Sequence, residues 1–247
     1  MINELKDKAI VLNSTDYKEN DKLVTLFTLE HGKIKARMRG VKKRGAKLAY
    51  ASQLFCFADY ILSKNGDYYT VINASQIDSF YDISNDLNDY YGASVILEVA
   101  DTIIRQEEPN PEMFVNVLSA LKTLEYYDKN VMLVISKFLI LSMKASGYEI
   151  NTDNCTECGK KIDTNIFSFD HGGFVCNLHK GTNSTILSDA GVRLLKYLEK
   201  NSFEDLPDDA VGSKNVMKLL AYYFEEKTET KLNSLKIFLQ WICAKRT

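Results

Sequence analysis

The chain has 247 residues, with 31 Lys and Arg against 33 Asp and Glu for a formal net charge of −2, and is 45% hydrophobic and 26% charged. With three prolines and twelve glycines, this composition excludes collagen-like, low-complexity and wholly disordered classes. The length suffices for a core without disulfides, and no apolar run approaches the roughly 18 residues of a membrane span.

The opening residues Met1 to Asp7 have neither the apolar core of a signal peptide nor the acid-poor character of a transit peptide. A cytoplasmic protein with no membrane partner is expected.

Ala9 to Thr15 and Lys22 to Leu29 are rich in β-branched and apolar residues and read as strands, separated by a polar turn at Asp16 to Asp21. Lys33 to Arg39 alternates base and apolar residue without a break. On a strand, Lys33, Lys35, Arg37 and Arg39 project from one face and Ile34, Ala36 and Met38 from the other. Leu54 to Leu62 and Tyr68 to Ile77 supply two more strands, joined by a turn over Lys64-Asn65-Gly66-Asp67. Five strands in about eighty residues suit a small closed barrel.

After Ser79 the period becomes helical. Asn88 to Arg105 carries one apolar stripe, and Asn110-Pro111-Glu112 has the N-cap, first-turn proline and early acid of a helix start. A third helix runs from about Val131 to Ser146 and stops at Gly147. Three more are expected near 188–200, 213–226 and 231–244, the middle one with Ser213 as N-cap. These stripes read as core.

Charge is unevenly spread. Between His31 and Ala58 lie eight bases (Lys33, Lys35, Arg37, Arg39, Lys42, Lys43, Arg44, Lys47) and no acid, while residues 78–150 hold twelve acids against five bases. A basic segment set against an acidic remainder points to a polyanionic partner, the alternative being a solvated face.

Five cysteines stand at 56, 155, 158, 176 and 243. Cys155-Thr-Glu-Cys158, seventeen residues, then Cys176-Asn-Leu-His179 has the spacing of a four-ligand structural zinc site. His171 lies close enough in sequence to compete for the fourth position, although the spacing favours His179. A thioredoxin-like pair lacks its βαβ setting, a disulfide suits a reducing compartment poorly, and four protein ligands leave no open position for catalysis. The deaminase pattern is absent. Cys56 and Cys243 read as packed, inert thiols.

No phosphate loop, dinucleotide fingerprint or nucleophile elbow is present, so a binding protein without enzymatic activity or a small-molecule substrate is expected. Tyr17, Phe55, Phe57 and Tyr60 are available for stacking on bases where exposed, although most aromatics in such strands are core and none is singled out.

In order, Asp16-Tyr17-Lys18-Glu19-Asn20-Asp21-Lys22-Leu23-Val24-Thr25-Leu26-Phe27-Thr28, His31-Gly32-Lys33, Gly40-Val41-Lys42-Lys43-Arg44, the later Cys-x-x-Cys-Gly and Phe-Ser-Phe-Asp-His-Gly-Gly-Phe-Val-Cys resemble the RecO family of bacterial recombination mediators in the RecF pathway. The likeness covers essentially the whole chain. Two departures stand out: Leu54 where the family usually has proline, and His179 where its fourth ligand is commonly cysteine.

The resemblance implies an α+β chain. It would comprise a five-stranded oligonucleotide-binding (OB) barrel at 1–80, a helical part at 81–150, a zinc-binding element holding one Zn²⁺ at 151–182 and a C-terminal helical part at 183–247. It also implies binding of single- and double-stranded DNA, ATP-independent annealing, and work with RecR and single-strand-binding protein to load recombinase, at the nucleoid. A zinc-stapled protein–protein adaptor and an RNA-binding barrel are the competing readings.

Overall fold

The computed structural model describes residues 3–66 and 68–244 and divides into two compact units, residues 1–125 and 126–247. In the first unit, β1 (Asn3–Tyr17), β2 (Asp21–Thr28), β3 (Gly32–Met38), β4 (Phe57–Asn65) and β5 (Tyr68–Asp78) form a closed barrel in the order β1-β2-β3-β5-β4. β1 is long because it serves two neighbours, pairing through Asn3–Ile10 with β4 and through Ala9–Tyr17 with β2. Four antiparallel pairings and a short parallel one between β3 and β5 complete the ring, the arrangement of an OB-fold.

Strand periodicity decides what fills it. Val24, Leu26, Ile34, Ala36, Met38, Tyr60, Leu62 and Val71 point inward and are buried. The fourth strand begins at Phe57 rather than at the expected Leu54. Phe55 there takes a positive φ of 70° and its N–H reaches the Val11 carbonyl, so the chain turns before it can pair. Asp67 of the expected β4–β5 turn lies outside the described residues.

The parallel β3–β5 contact spans only Ala36↔Tyr69 and Arg37↔Thr70. Below it, residues 105–107 run beside the start of β3, with Lys33 N–H donating to the Arg105 carbonyl at 3.3 Å and Glu107 N–H to the Lys33 carbonyl at 3.1 Å. Gly32 makes this approach possible. Its φ is 69°, and a Cβ there would collide with the Glu108 backbone.

Helices α1 (Leu87–Ile103) and α2 (Pro111–Tyr126) complete the unit. Asp86 caps α1, and the Asn110 side chain accepts from Met113 N–H at 3.0 Å, as the sequence implies. Phe114 of α2 meets Phe27 and Phe57 edge-on, with centroids 5.2 and 6.0 Å apart. The helix therefore covers one end of the outer face of β2 and β4.

The second unit holds α3 (Val131–Ala145), a small sheet, α4 (Asp189–Lys200), α5 (Ser213–Thr228) and α6 (Asn233–Ala244). Its sheet comprises β6 (Ile166–Ser168), β7 (Gly173–Phe174) and β8 (Ser184–Ile186), in the order β7-β6-β8. Leu133, Phe138, Leu194, Leu198, Val216, Leu220 and Phe224 are buried. Lys137 is buried with them and donates to the Leu198 carbonyl near the end of α4 at 2.8 Å, while burial pushes its ammonium pKa down. Ser213 is not the N-cap of α5: Gly212, at φ 90°, holds that position and Ser213 is the first helical residue, buried. Among the described residues no helix is long and apolar enough to cross a membrane.

Candidate nucleic-acid face and metal centre

The alternation along β3 is present as expected, with Arg39 one residue past its end in the turn: Ile34, Ala36 and Met38 are buried, while Lys33, Lys35, Arg37 and Arg39 are partly or fully exposed. The four bases nevertheless have different fates. Lys33 pairs across the ladder with Phe27, at the end that the helices cover, and its ammonium meets the Asp101 carboxylate at 3.0 Å and the Asp101 carbonyl at 2.6 Å. Arg37 is held by Asp21, with Nε 2.9 Å from Oδ2, and its guanidinium lies 5.4 Å from the Tyr17 ring centroid. Asp21 also accepts from Gly40 N–H at 2.8 Å. That bond first, and Arg37 second, hold its carboxyl below the usual carboxylate range.

In the following turn, Lys42 pairs with Asp16 at 2.6 Å, a bond that lowers the Asp16 pKa. Of the eight bases between His31 and Ala58, three are thus matched with carboxylates. Lys35, Arg39, Lys43 and Arg44 are exposed and have no partner among the described residues, as is Lys47.

Lys35, Arg37 and Arg39 line a concave hollow of about 860 Å³ with Tyr17, Leu23 and Tyr68. It occupies the open end of the same outer face that α2 covers at Phe27. Arg39 also borders a second, shallower hollow with Lys18 and Lys43, so the cationic surface continues from strand to turn. Three of the four aromatics suggested for stacking are core: Phe55 is 1% exposed, Phe57 8% and Tyr60 0%. Tyr60 shares the inward parity of Ala58 and Leu62, and Phe57 lies beneath Phe114. Tyr17 stays accessible at 37%, and two residues the sequence reading missed join it: Leu23 at 40% and Tyr68 at 80%. The signal for Tyr68 was its parity, opposite to buried Tyr69 and Val71.

In the second unit Cys155, Cys158, Cys176 and His179 bring one ligand atom each to within 4.8 Å of one another, a cluster that could hold a metal ion. The first pair sits on a tight turn closed by Gly159 N–H to the Cys155 carbonyl at 2.8 Å, and His179 on the short helical turn Asn177–His179. His179 Nδ1 is 3.2 Å from Cys176 Sγ and 3.6 Å from Cys155 Sγ. A tetrahedral zinc with Zn–S of about 2.3 Å and Zn–N of about 2.0 Å sets ligand–ligand edges of about 3.5–3.8 Å; the two His179–sulfur distances lie close to such an edge, and three sulfurs with one imidazole are a donor set that suits the ion. Burial pushes the Cys155 thiol up, but the N–H groups of Cys158, Cys176 and Glu157, with His179, outweigh it and bring it to about 6.

His171 is elsewhere engaged, with Nδ1 2.6 Å from Glu157. The bend at Gly172 joins β6 to β7, whose Phe167 and Phe174 pack edge-on, and Phe167 meets Tyr223 of α5 in the same way. Cys56 is buried, which pushes its thiol up to about 11. Cys243 differs from the expectation of a packed thiol: the end of α6 leaves it exposed, with Lys214 Nζ 3.3 Å from its sulfur.

Two family models match the chain, Recombination protein O N terminal over residues 1–80 and Recombination protein O C terminal over residues 84–236. The DNA repair protein RecO of Clostridium novyi is 32% identical, covering 94% of this chain and 93% of its own. That of Bacillus pumilus is 31% identical over 96% and 94%, and that of Acetivibrio thermocellus 29% over 95% and 97%. With both halves of the family pattern matched along nearly its full length, the chain belongs to the RecO family of DNA repair proteins.

Proposed function

We propose that this protein binds single- and double-stranded DNA through its barrel, anneals complementary strands without ATP, and helps load recombinase on protein-coated single strands. The observation that carries the reading is the set of unmatched cations, Lys35, Arg39 and Lys43 on adjoining hollows of the outer surface, with exposed Arg44 next in the chain. Each phosphate contact releases condensed counterions, so affinity rests on these charges and falls steeply with salt. Lys33, Arg37 and Lys42 contribute less directly because carboxylates already occupy them. Annealing follows from cations that screen repulsion between two strands while leaving base edges free. No reacting group is required, and the protein acts as a mediator in the cytoplasm at the nucleoid rather than as an enzyme.

Cys155, Cys158, Cys176 and His179 would hold one structural Zn²⁺, closing two loops of the second unit. RecR and single-strand-binding protein are the partners the family likeness suggests. A groove between α5 and α6, with Leu235 and Leu239 beside Lys218 and Lys236, suits an acidic tail with an apolar end.

The test is fluorescence anisotropy of a labelled single strand across a salt series. A Lys35→Ala/Arg39→Ala variant should lower the slope of log K against log salt by about 1.4, from about 0.7 per contact. An unchanged slope and affinity in the folded variant would remove DNA from this face.

A further inference from the structure

The cationic surface is chemically divided. In the hollow, Tyr17, Leu23 and Tyr68 stand exposed among Lys35, Arg37 and Arg39. Tyr68 has no partner among the described residues although it is the most exposed aromatic of the barrel. Tyr17 is held in place, with both the Arg37 guanidinium and the Lys18 ammonium 5.4 Å from its ring centroid. Arg37 is in turn fixed by Asp21. A pre-ordered ring and an unoccupied one, lining the same hollow as Lys35, Arg37 and Arg39, are suited to base faces rather than to phosphates alone.

The turn after β3 has the opposite character. Lys42, Lys43, Arg44, Gly45 and Lys47 are exposed, and the one apolar residue at its start, Val41, is buried. Nothing lies within 4 Å of the Cβ position of Gly45, so the turn is open to solvent. It carries charge and no ring.

We propose, resting on the DNA-binding reading above, that the barrel has two nucleic-acid surfaces. The hollow takes the bases of one single strand by stacking on Tyr68 and Tyr17. The turn bearing Lys43, Arg44 and Lys47 takes the sugar–phosphate backbone of a duplex or of a second strand. A duplex keeps its base faces inside its own stack, so the hollow gains nothing from it, whereas its phosphates are denser than those of a single strand. Stacking occupies faces and leaves Watson–Crick edges outward. A strand seated in the hollow can therefore pair with one drawn in by the turn.

The experiment compares a labelled oligothymidine 20-mer with a 20-base-pair duplex, each in a salt series, for the full chain and three variants. Tyr68→Ala should weaken the single strand by about 5- to 150-fold with its salt slope unchanged, and leave the duplex within about twofold. Tyr68→Phe should restore single-strand binding, since the ring remains. Lys43→Ala/Arg44→Ala/Lys47→Ala should lower the duplex slope by about 2.7, from about 0.9 per contact, and leave the oligothymidine within about threefold. Because all four side chains are exposed, the variants keep the core intact.

Equal loss for both DNAs in either variant would overturn the division, as would no loss in Tyr68→Ala. If the unaltered protein binds neither DNA at low salt, the DNA-binding reading itself fails, and that outcome is distinct from the others.

Discussion

If Cys155, Cys158, Cys176 and His179 hold the proposed Zn²⁺, removing it should loosen two turns and leave the rest of the second unit standing. The element around the cluster has a meagre core of its own, Cys155, Ile166 and Val175 with Ile162 and Cys176 at the edge. Its other face is anchored independently, because Phe167 meets Phe174 and Tyr223 at 5.8 Å and Phe169 meets Tyr222 at 4.6 Å. An ion bridging Cys155 and Cys176 closes a loop of about twenty residues, which by analogy with a covalent cross-link removes about 3 kcal/mol of unfolded-chain entropy. That is far below the roughly 10–16 kcal/mol seen where zinc creates a whole fold, because here aromatic packing already orders the sheet.

Amide exchange read by mass spectrometry, on protein whose metal content is verified before and after chelation, resolves the two contributions. Peptides spanning Cys155–Ile162 and Cys176–Lys180 should exchange about 10²-fold faster without metal, since 1.4 kcal/mol is a factor of ten. Those spanning Ile166–Ser168 and α5 should change little. Acceleration spread evenly through α5 would refute the reasoning by showing that the metal holds the whole unit. No acceleration after verified removal would refute it from the other side.

Two further outcomes test the barrel. Phe114 is 2% exposed and is the ring that seats α2 on Phe27 and Phe57, so Phe114→Ala should destabilise the first unit by about 3–5 kcal/mol in urea unfolding; a loss below about 1 kcal/mol would mean that α2 is held by something else. Gly40 N–H and then Arg37 keep the folded Asp21 pKa below its unfolded value of 3.8. Its contribution to stability is therefore complete above pH 3.8 and lost as pH falls through the folded value. The stability gap between the native protein and Asp21→Asn should stay level from pH 8 to 5 and narrow as pH falls below about 3.8, and a gap that did not narrow there would contradict this assignment.

Much of this architecture is legible in the sequence because it is local. The period-two run from Lys33 to Arg39 identifies a strand and its faces, and Asn110-Pro111 marks a helix start that the Asn110–Met113 bond bears out. The spacing of Cys155, Cys158, Cys176 and His179 carries its own geometry, since two tight turns deliver four donors wherever the chain leads. His171 resembles a rival only until Glu157 is seen beside it. Cys243 looks like a packed thiol because helical position says nothing of which face a neighbouring element leaves bare.

What periodicity cannot reveal is which charges remain free. Eight bases without an acid between residues 31 and 58 look like one uniform field. The acids that match three of them come from elsewhere: Asp16 from the end of β1, Asp21 from the start of β2, and Asp101 from a helix 68 residues beyond Lys33. The same outer face also changes character along its length. On β2 the exposed Leu23 and buried Phe27 have the same parity and opposite fates, because α2 packs over one end alone. Strand parity gives the face, and only tertiary covering gives the site. The chemistry of the open end therefore follows from what α2 does not reach: Leu23, Tyr17 and Tyr68 keep their exposure there, and Lys35 and Arg39 keep their charge.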